Sequence, residues 1–180
     1  MKIPKAYFIT GVSGVGKSST MNGLIKFLPK TEFDIRDFDE RGVPDGGGDR
    51  WHSSETKYWL DIATINAEQN RSTIICGFNE PTRIQAVRNE KHPSVILILL
   101  NASPETLQNR LSGRYPTKES EKEIERAAGT TLEKFINNCA TYLPIMYRNF
   151  KEQGYPIIET NNKTPDEIAQ EIVNYINVSE

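Results

Sequence analysis

The chain has 180 residues, enough for one ordinary domain with a hydrophobic core. Its formal net charge of -2 gives no electrostatic reason to expect nucleic acid or an anionic membrane surface as a partner. Two cysteines, Cys76 and Cys139, are too few for a disulfide scaffold, and their surroundings predict buried thiols. No apolar segment reaches the roughly 20 residues that span a bilayer. Residues 1–10 also lack the long apolar segment of a signal peptide, so we expect a cytoplasmic protein.

Five short apolar segments predict five β-strands. In chain order they are residues 6–10, 33–37, 72–76, 94–100 and 155–160. The segments are mostly continuous rather than alternating in hydrophobicity, which is typical of strands that are buried on both faces. Helical patterns separate them. The alternation predicts an α/β fold, a three-layer sandwich whose five-stranded parallel sheet carries helices on both faces.

Helix signals occupy the segments between the strands. Ser103 is a good N-cap, and Pro104 follows it at the first helical position. Thr164 and Glu167 have the spacing of a capping box for the last helix. Before it, one long helix is expected over about residues 119–147.

Residues 11–18 match the phosphate-binding pattern G-x-x-x-x-G-K-[ST] in full. The pattern follows a predicted strand and opens a predicted helix, which is the context it requires. The glycines allow a nest of backbone N–H groups, and the helix N-terminus points at the anion. We expect Lys17 to be a mobile charge for the β- and γ-phosphates, Ser18 to hold Mg²⁺ and Ser19 to support the α-phosphate of ATP. The predicted nucleotide contacts of the loop are Gly11, Val12, Ser13, Gly14, Val15, Gly16, Lys17, Ser18 and Ser19.

Two larger classes of phosphate-loop protein are disfavoured. Motor and AAA-type ATPases need an apolar strand that ends in an acidic residue, but the fourth predicted strand runs into Asn101 and the third into Gly77. The guanine signature N-K-x-D fails as well, because Pro165 stands where the acid belongs. A small kinase is the better hypothesis.

Two carboxylates, Asp37 and Asp39, end the second predicted strand. Residues two apart on extended backbone face the same way, toward the sheet edge where α/β sites form. One carboxylate there could hold a magnesium-bound water, and the other could accept a proton from an attacking hydroxyl. We expect Asp37 to serve the metal and Asp39 to face the acceptor. The alternative is an Asx-type turn at the end of the strand.

With these motifs the sequence resembles the nucleoside- and nucleotide-kinase branch of P-loop proteins, which includes adenylate, shikimate and gluconate kinases. The Asp37-x-Asp39 pair is similar to that of shikimate kinases, and Gly77-Phe78 resembles the Gly-Phe after the third strand of adenylate kinases. Residues 103–114 resemble the passage into the mobile lid. Residues 157–162 resemble the fifth strand and the loop beside the adenine. The resemblance covers nearly the whole chain.

The resemblance implies roles for residues outside the phosphate loop. It places Arg110 over the adenine, Arg114 on the ATP phosphates, and the backbone near Asn161 and Asn162 beside the base. It also implies a small lid near residues 114–126.

The sequence of residues 114–126 supports the implied lid in part. Gly113 and Pro116 should break the helix before it. Lys118, Lys122 and Arg126 then continue at intervals of four as a basic stripe. A solvated charged face is the alternative, because glutamates are interleaved with these residues.

The acceptor side departs from these families. Asn79-Glu80 stands where adenylate kinases have Pro-Arg. Residues 40–70, with three consecutive glycines, are expected to form the acceptor cap, and a flexible surface loop is the alternative. The candidate acceptor contacts are Asp39, Arg41, Arg50, Gly77 and Arg83.

Together these observations predict one kinase domain over residues 1–180. It would transfer the γ-phosphoryl group of ATP to a small molecule, with a hydroxyl as the favoured acceptor, using Lys17, Asp37, Asp39 and Arg114. One alternative is a nucleoside monophosphate kinase, in which arginines hold the acceptor phosphate. Another is a nucleotide-binding module that hydrolyses ATP slowly and acts on a partner. The sequence leaves the acceptor and the oligomeric state open.

Overall fold

One parallel sheet organises the protein, for which a computed structural model describes residues 3–178. The four terminal residues of the predicted domain, 1, 2, 179 and 180, lie outside the described residues. Five strands pair in the order β2-β3-β1-β4-β5, and every pair is parallel. They are β1 (Lys5–Thr10), β2 (Phe33–Asp37), β3 (Ser72–Cys76), β4 (Ser94–Asn101) and β5 (Ile157–Glu159).

Helices connect the strands and cover both faces of the sheet. In the described part of the chain they are α1 (Lys17–Phe27), α2 (Asp49–Glu68), α3 (Pro81–Val87), α4 (Pro104–Arg114), α5 (Lys118–Ala128), α6 (Leu132–Glu152) and α7 (Pro165–Val178). All of β3 and nearly all of β1 is buried, as the continuous apolar segments indicate. The predicted three-layer α/β fold is confirmed. Within the described residues, no helix is both long and apolar enough to cross a membrane.

Local capping signals fix several helix starts. The Ser103 hydroxyl accepts a hydrogen bond from the Thr106 N–H at 3.1 Å. Glu167 accepts one from the Thr164 N–H at 2.7 Å, and the Thr164 hydroxyl accepts one from the Glu167 N–H, so the predicted capping box is present.

The prediction of one helix over residues 119–147 is wrong. The chain forms α5 and α6 instead, because Gly129 takes a left-handed conformation (φ 65°) that ends α5. The Thr131 hydroxyl then caps α6 by accepting from the Lys134 N–H. Gly113 also fails to break a helix: it lies inside α4, which runs to Arg114 and ends before Pro116.

The loop after β2 is fixed by buried contacts near the carboxyl ends of the strands. Trp59 donates from its indole nitrogen to the Phe38 carbonyl at 3.1 Å. A Cβ at Gly77 would overlap the Phe38 side chain, so this position needs glycine for close packing. Ligand sites of α/β sheets form at this edge, where strand order reverses beside β1.

Candidate active site

The phosphate loop runs from Gly11, after β1, to the first turn of α1. Gly14 and Gly16 have φ values of 88° and 106°, a region that side chains disfavour. A Cβ at Gly14 would also meet the Leu111 side chain at 2.8 Å. The glycines therefore let the loop curl while α4 packs directly against it.

Lys17 starts α1 and is half-buried. Its ammonium group donates to the Gly11 carbonyl at 2.8 Å and to the Val12 carbonyl at 2.9 Å. Burial lowers the pKa of Lys17 to about 8; the negative charge of Asp39 opposes this shift, and the positive charge of Arg114 adds to it. These two residues therefore lie within electrostatic reach of the phosphate loop.

The affinity for ATP is expected to fall as the pH rises above about 8. The pKa of Lys17 is lowered in the nucleotide-free protein, so above that pH the amine is neutral and nucleotide binding must restore its proton. Affinity should then fall by about tenfold per pH unit, with uptake of one proton. Calorimetry in buffers of different ionisation enthalpy measures both quantities. Lys17→Arg, which stays charged, should lose the pH dependence, and a flat wild-type profile would contradict the assignment.

A first cavity of about 540 Å³ opens beside the loop. Its described lining is Gly14, Gly16, Lys17, Ser18, Ser19, Thr20, Arg110, Arg114, Lys163, Pro165 and Ile168. The last three residues were missed in the sequence, although they follow β5 at the start of α7. Asn161 and Asn162 lie in the same connection but not in this lining; the Asn161 side chain accepts a hydrogen bond from the Ser103 N–H at 2.9 Å. Their place beside a base stays a prediction.

The two arginines of α4 differ in their contacts. Arg110 donates to the Thr160 carbonyl at 2.9 Å and the Thr160 hydroxyl at 3.1 Å. It also reaches the carbonyls of Gly14 and Val15 at 3.4 and 3.3 Å. Arg114 is exposed on the cavity, with its guanidinium 5.7 Å from the Tyr115 ring centroid. Arg110 therefore ties the phosphate loop to the end of β5, whereas Arg114 faces the cavity.

The two arginines should respond differently to alanine. Arg110→Ala should cost about 1–3 kcal/mol of stability through lost hydrogen bonds, which lowers Tm by roughly 2–4 °C per kcal/mol in a chain of this size. Arg114→Ala should leave Tm unchanged and lower kcat, because its charge is available to a transferring phosphoryl group. Thermal melts and steady-state kinetics decide. A protein that melts early with Arg114→Ala, or melts normally with Arg110→Ala, would reverse these roles.

A second cavity, of about 390 Å³, lies on the other side of the phosphate loop. Its described lining comes from that loop, the segment before α2, α2 itself, the segment after β3, and helices α5 and α6. It includes Val12, Ser13, Asp39, Val43, Gly46, Gly47, Gly48, Trp51, His52, Phe78, Ile124, Phe135, Asn138, Cys139 and Tyr142. The three glycines of the predicted acceptor cap thus lie at this cavity.

The second cavity also corrects one cysteine prediction. Cys76 is buried as expected, but Cys139 is half-buried and lines the cavity. Burial raises the pKa of both thiols, so both are protonated near neutral pH.

Asp37 and Asp39 form an Asx-type turn at the end of β2. The Asp37 carboxylate accepts a hydrogen bond from the Asp39 N–H at 2.8 Å. Asp39 lines the second cavity, and burial, followed by repulsion from Asp37, raises the pKa of its carboxyl group. The turn and the sheet-edge placement are therefore both present, and they bring the two carboxylates close to Lys17.

The other predicted acceptor contacts do not line the second cavity. Arg41 pairs with Glu55 at 3.2 Å and stacks 3.7 Å from the Tyr58 ring centroid. Arg50 is exposed on α2, and Gly77 serves the packing of Phe38.

Arg83 is likewise committed to protein partners. It pairs with Asp49 at 3.1 Å and with Glu80 at 3.5 Å. Direct contact of Arg83 or the other three residues with an acceptor is not supported by this arrangement.

Helix α5, in the predicted lid, packs over the second cavity. Ile124, Ala127 and Ala128 line that cavity. Arg126 pairs with Asp45 at 2.6 Å, and its carbonyl accepts from the Gly46 N–H at 3.1 Å. Arg126 is therefore tied to the glycine-rich segment, while Lys118 and Lys122 are exposed as a solvated face.

The fold and the loop define a phosphate-loop nucleotide-binding protein, and comparison with known proteins narrows this class. No model of a known protein family matches the sequence. A curated protein of Pyrococcus furiosus named "Putative adenylate kinase" is 25% identical over 173 residues, which cover 94% of this chain and 82% of that protein.

Solved structures agree on the fold. A shikimate kinase from Acinetobacter baumannii in complex with shikimate has a TM-score of 0.60 and 16% identity, covering 99% of this chain and 96% of that one. An unliganded sugar kinase from Janibacter sp. has a TM-score of 0.64 and 16% identity, covering 97% of this chain and 95% of that one. The resemblance to P-loop kinases is confirmed, without one member standing out.

Proposed function

We propose that the protein is an ATP-dependent phosphotransferase that moves the γ-phosphoryl group to a hydroxyl of a small molecule. The kinase relatives support a phosphotransferase in general. The observation that carries the choice of a hydroxyl is the position of Asp39. This carboxylate lines the second cavity and acts electrostatically on Lys17 in the phosphate loop. It therefore lies where an acceptor in the second cavity would meet a phosphoryl donor in the first.

ATP fits the first cavity in its chemistry. The backbone N–H groups of the phosphate loop and the N-terminus of α1 suit its phosphates. Lys17, Ser18 and Ser19 line the same cavity, as do Arg110 and Arg114. Pro165 and Ile168 offer an apolar surface to a base, next to the connection that contains Asn161 and Asn162.

The residues present also fit Mg²⁺, which prefers oxygen ligands and keeps several waters. Ser18 presents an exposed hydroxyl in the first cavity. Asp37 uses one carboxylate oxygen in its turn, which leaves the other for a magnesium-bound water. When bound, the ion would neutralise charge on the phosphates.

In the proposed reaction, Asp39 accepts the proton of the acceptor hydroxyl. The hydroxyl oxygen forms a bond to the γ-phosphorus while the bond to the bridging oxygen breaks and ADP leaves. Lys17 and Arg114 stabilise the charge that spreads over the phosphoryl oxygens. Burial and Asp37 raise the pKa of Asp39, which makes it a stronger base than an ordinary carboxylate.

A nucleoside monophosphate acceptor is less well supported. It would need cations around its phosphate, and Arg41 and Arg83 are committed to protein carboxylates. A cytoplasmic location, expected from the lack of a signal-like apolar segment in residues 1–10, remains part of the proposal.

Acceptor-dependent release of ADP tests the proposed function. Purified protein with MgATP should release ADP slowly alone and faster with one member of a panel of nucleosides, nucleotides, sugars, sugar acids and aminoglycosides. Stimulation by a hydroxyl compound supports the proposal. Slow release that no acceptor changes would favour the alternative of a nucleotide-binding module.

A further inference from the structure

We propose that the acceptor is an uncharged alcohol with a flat, apolar face, and that the second cavity excludes anionic acceptors. This inference rests on the proposed phosphotransfer and adds the chemical class of the substrate. Three features of the second cavity carry it: its aromatic walls, the charges of its described lining, and the direction of its hydrogen bonds.

Aromatic side chains from three segments form the walls: α2, the segment after β3, and α6. Trp51 lies with its ring centroid 4.6 Å from that of His52, and Phe78 lies 6.2 Å from Tyr142. Phe135 joins them on the cavity surface. Such rings favour a flat partner that stacks or packs edge to face. A volume of about 390 Å³ is in the range of small-molecule sites, so a ring-bearing compound fits.

The charges on the cavity surface disfavour an anion. Among the described lining residues, Asp39 is the one charged group, and lysine and arginine are not represented. His52 adds no cation near neutral pH, because burial, followed by the charge of Arg83, lowers its pKa to about 4. A carboxylate or phosphate entering here would lose hydration and face a like charge, and no cation of the described lining would compensate, since Lys17 lines the first cavity.

Arg83 does not reverse this balance. Its side chain is only 10% exposed, and its guanidinium carbon lies 5.8 Å from the Phe78 ring centroid. Asp49 and Glu80 both pair with it. Both carboxylates pair with its Nη2, whereas the buried Nη1 has no hydrogen-bond partner among the described residues. With two carboxylates around one guanidinium, the cluster as a whole carries a net negative charge.

The hydrogen-bonding groups of Tyr142 and Asp39 suit a substrate that donates hydrogen bonds. Tyr142 donates its hydroxyl hydrogen to Glu80, so the phenol oxygen is left to accept. Burial, followed by Glu80, raises the pKa of Tyr142 to about 12, so the phenol keeps its proton near neutral pH. Asp39 also accepts. An alcohol supplies the matching donors without adding a charge.

Two probes of the same shape test the charge requirement directly. They are 4-(hydroxymethyl)benzamide, which is neutral, and 4-(hydroxymethyl)benzoate, which is an anion. Dissociation constants are measured by ligand-observed NMR in the presence of Mg²⁺ and a non-hydrolysable ATP analogue. The amide should bind about tenfold or more tightly than the benzoate, since an unpaired buried charge is disfavoured by at least that factor. Equal or tighter binding of the benzoate, or no binding of either, would overturn the inference.

A cation placed on the cavity wall should reverse the preference. Ile124→Lys and, independently, Val43→Lys each introduce an ammonium group at a half-buried lining position. Both variants should gain affinity for the benzoate by about tenfold. Ile65→Lys is the matched control, because Ile65 is exposed on α2 and is not in the described lining. If neither wall variant changes the preference while both remain folded, the probes bind elsewhere and the inference fails.

Separate measurements of ligand binding and of phosphoryl transfer distinguish a failure of this inference from a failure of the proposed function. The NMR experiment needs no turnover. A retained preference for the amide, combined with no phosphorylation of any alcohol, would refute the phosphotransfer and leave the charge selectivity standing. Phosphorylation of an anionic alcohol in preference to its neutral partner would support the phosphotransfer and refute the charge selectivity.

Discussion

Lys17→Ala is expected to lower phosphoryl transfer by about 10²–10³-fold or more, the effect of losing one group that stabilises charge in a transition state. Lys17 lies in the first cavity with its ammonium group on the carbonyls of Gly11 and Val12. ATP phosphates would replace those carbonyls as partners, and alanine offers them nothing. Steady-state kinetics with MgATP and an acceptor measure the loss.

The same substitution should leave the fold intact. The lysine starts α1, where alanine is a good helix former, and its two partners are backbone carbonyls of the phosphate loop. Lys26→Ala is the matched control, because Lys26 lies near the other end of α1 and pairs with Asp166 on the exposed surface. It should keep normal activity. Wild-type turnover in Lys17→Ala would refute the assignment of the phosphate loop.

Asp39→Asn is expected to lower kcat by about 10²–10⁴-fold, the usual contribution of a positioned general base. A hydroxyl must lose its proton during transfer, whereas a phosphate acceptor is already ionised. The pKa of Asp39 is raised, so wild-type kcat/KM for the acceptor, at saturating MgATP, should rise as the pH increases through that value and then level off. The Asn variant should lack this acid limb. A pH profile of both proteins measures the difference.

Asp37→Asn should act on the metal requirement instead. Asparagine keeps an oxygen that can accept from the Asp39 N–H, so the turn survives while the charge is lost. We expect reduced transfer that higher Mg²⁺ partly restores. Glu40→Gln is the matched control, since this exposed carboxylate follows the pair and faces Arg36 at 3.4 Å. Near-normal kinetics in both Asp variants would leave the pair as a turn alone.

The fold was predictable where burial decides the sequence pattern. Strands β2 and β3 have the predicted bounds, although only β3 is fully buried; in β2, Phe33 and Ile35 alternate with charged residues. Helix α2 was harder to see: it buries Glu55, Thr56 and Asn66, so its hydrophobic periodicity is weak. The boundary between α5 and α6 was not predicted, because Gly129 was not recognised as a helix end.

One part of the candidate site was predictable from the sequence and the other was not. The phosphate loop is local in sequence, so its motif identifies it completely. The second cavity is assembled from distant segments, and its aromatic walls cannot be recognised from any one of them. One signal was available: Phe135, Cys139 and Tyr142 are spaced by four and three on α6, which puts them on one helix face. Whether an arginine is available to a ligand depends on carboxylates elsewhere in the chain, such as Glu55, which pairs with Arg41.

The phosphorus-containing product distinguishes transfer to a hydroxyl from hydrolysis of ATP and from transfer to a phosphate. Wild-type protein is incubated with MgATP and the alcohol that most stimulates ADP release, and the products are followed by phosphorus NMR. Transfer to a hydroxyl predicts one phosphomonoester for each ADP that the alcohol adds, and the loss of the phosphomonoester signal in Asp39→Asn. Inorganic phosphate as the sole product beside ADP, or a phosphoanhydride formed from a nucleoside monophosphate, would contradict transfer to a hydroxyl.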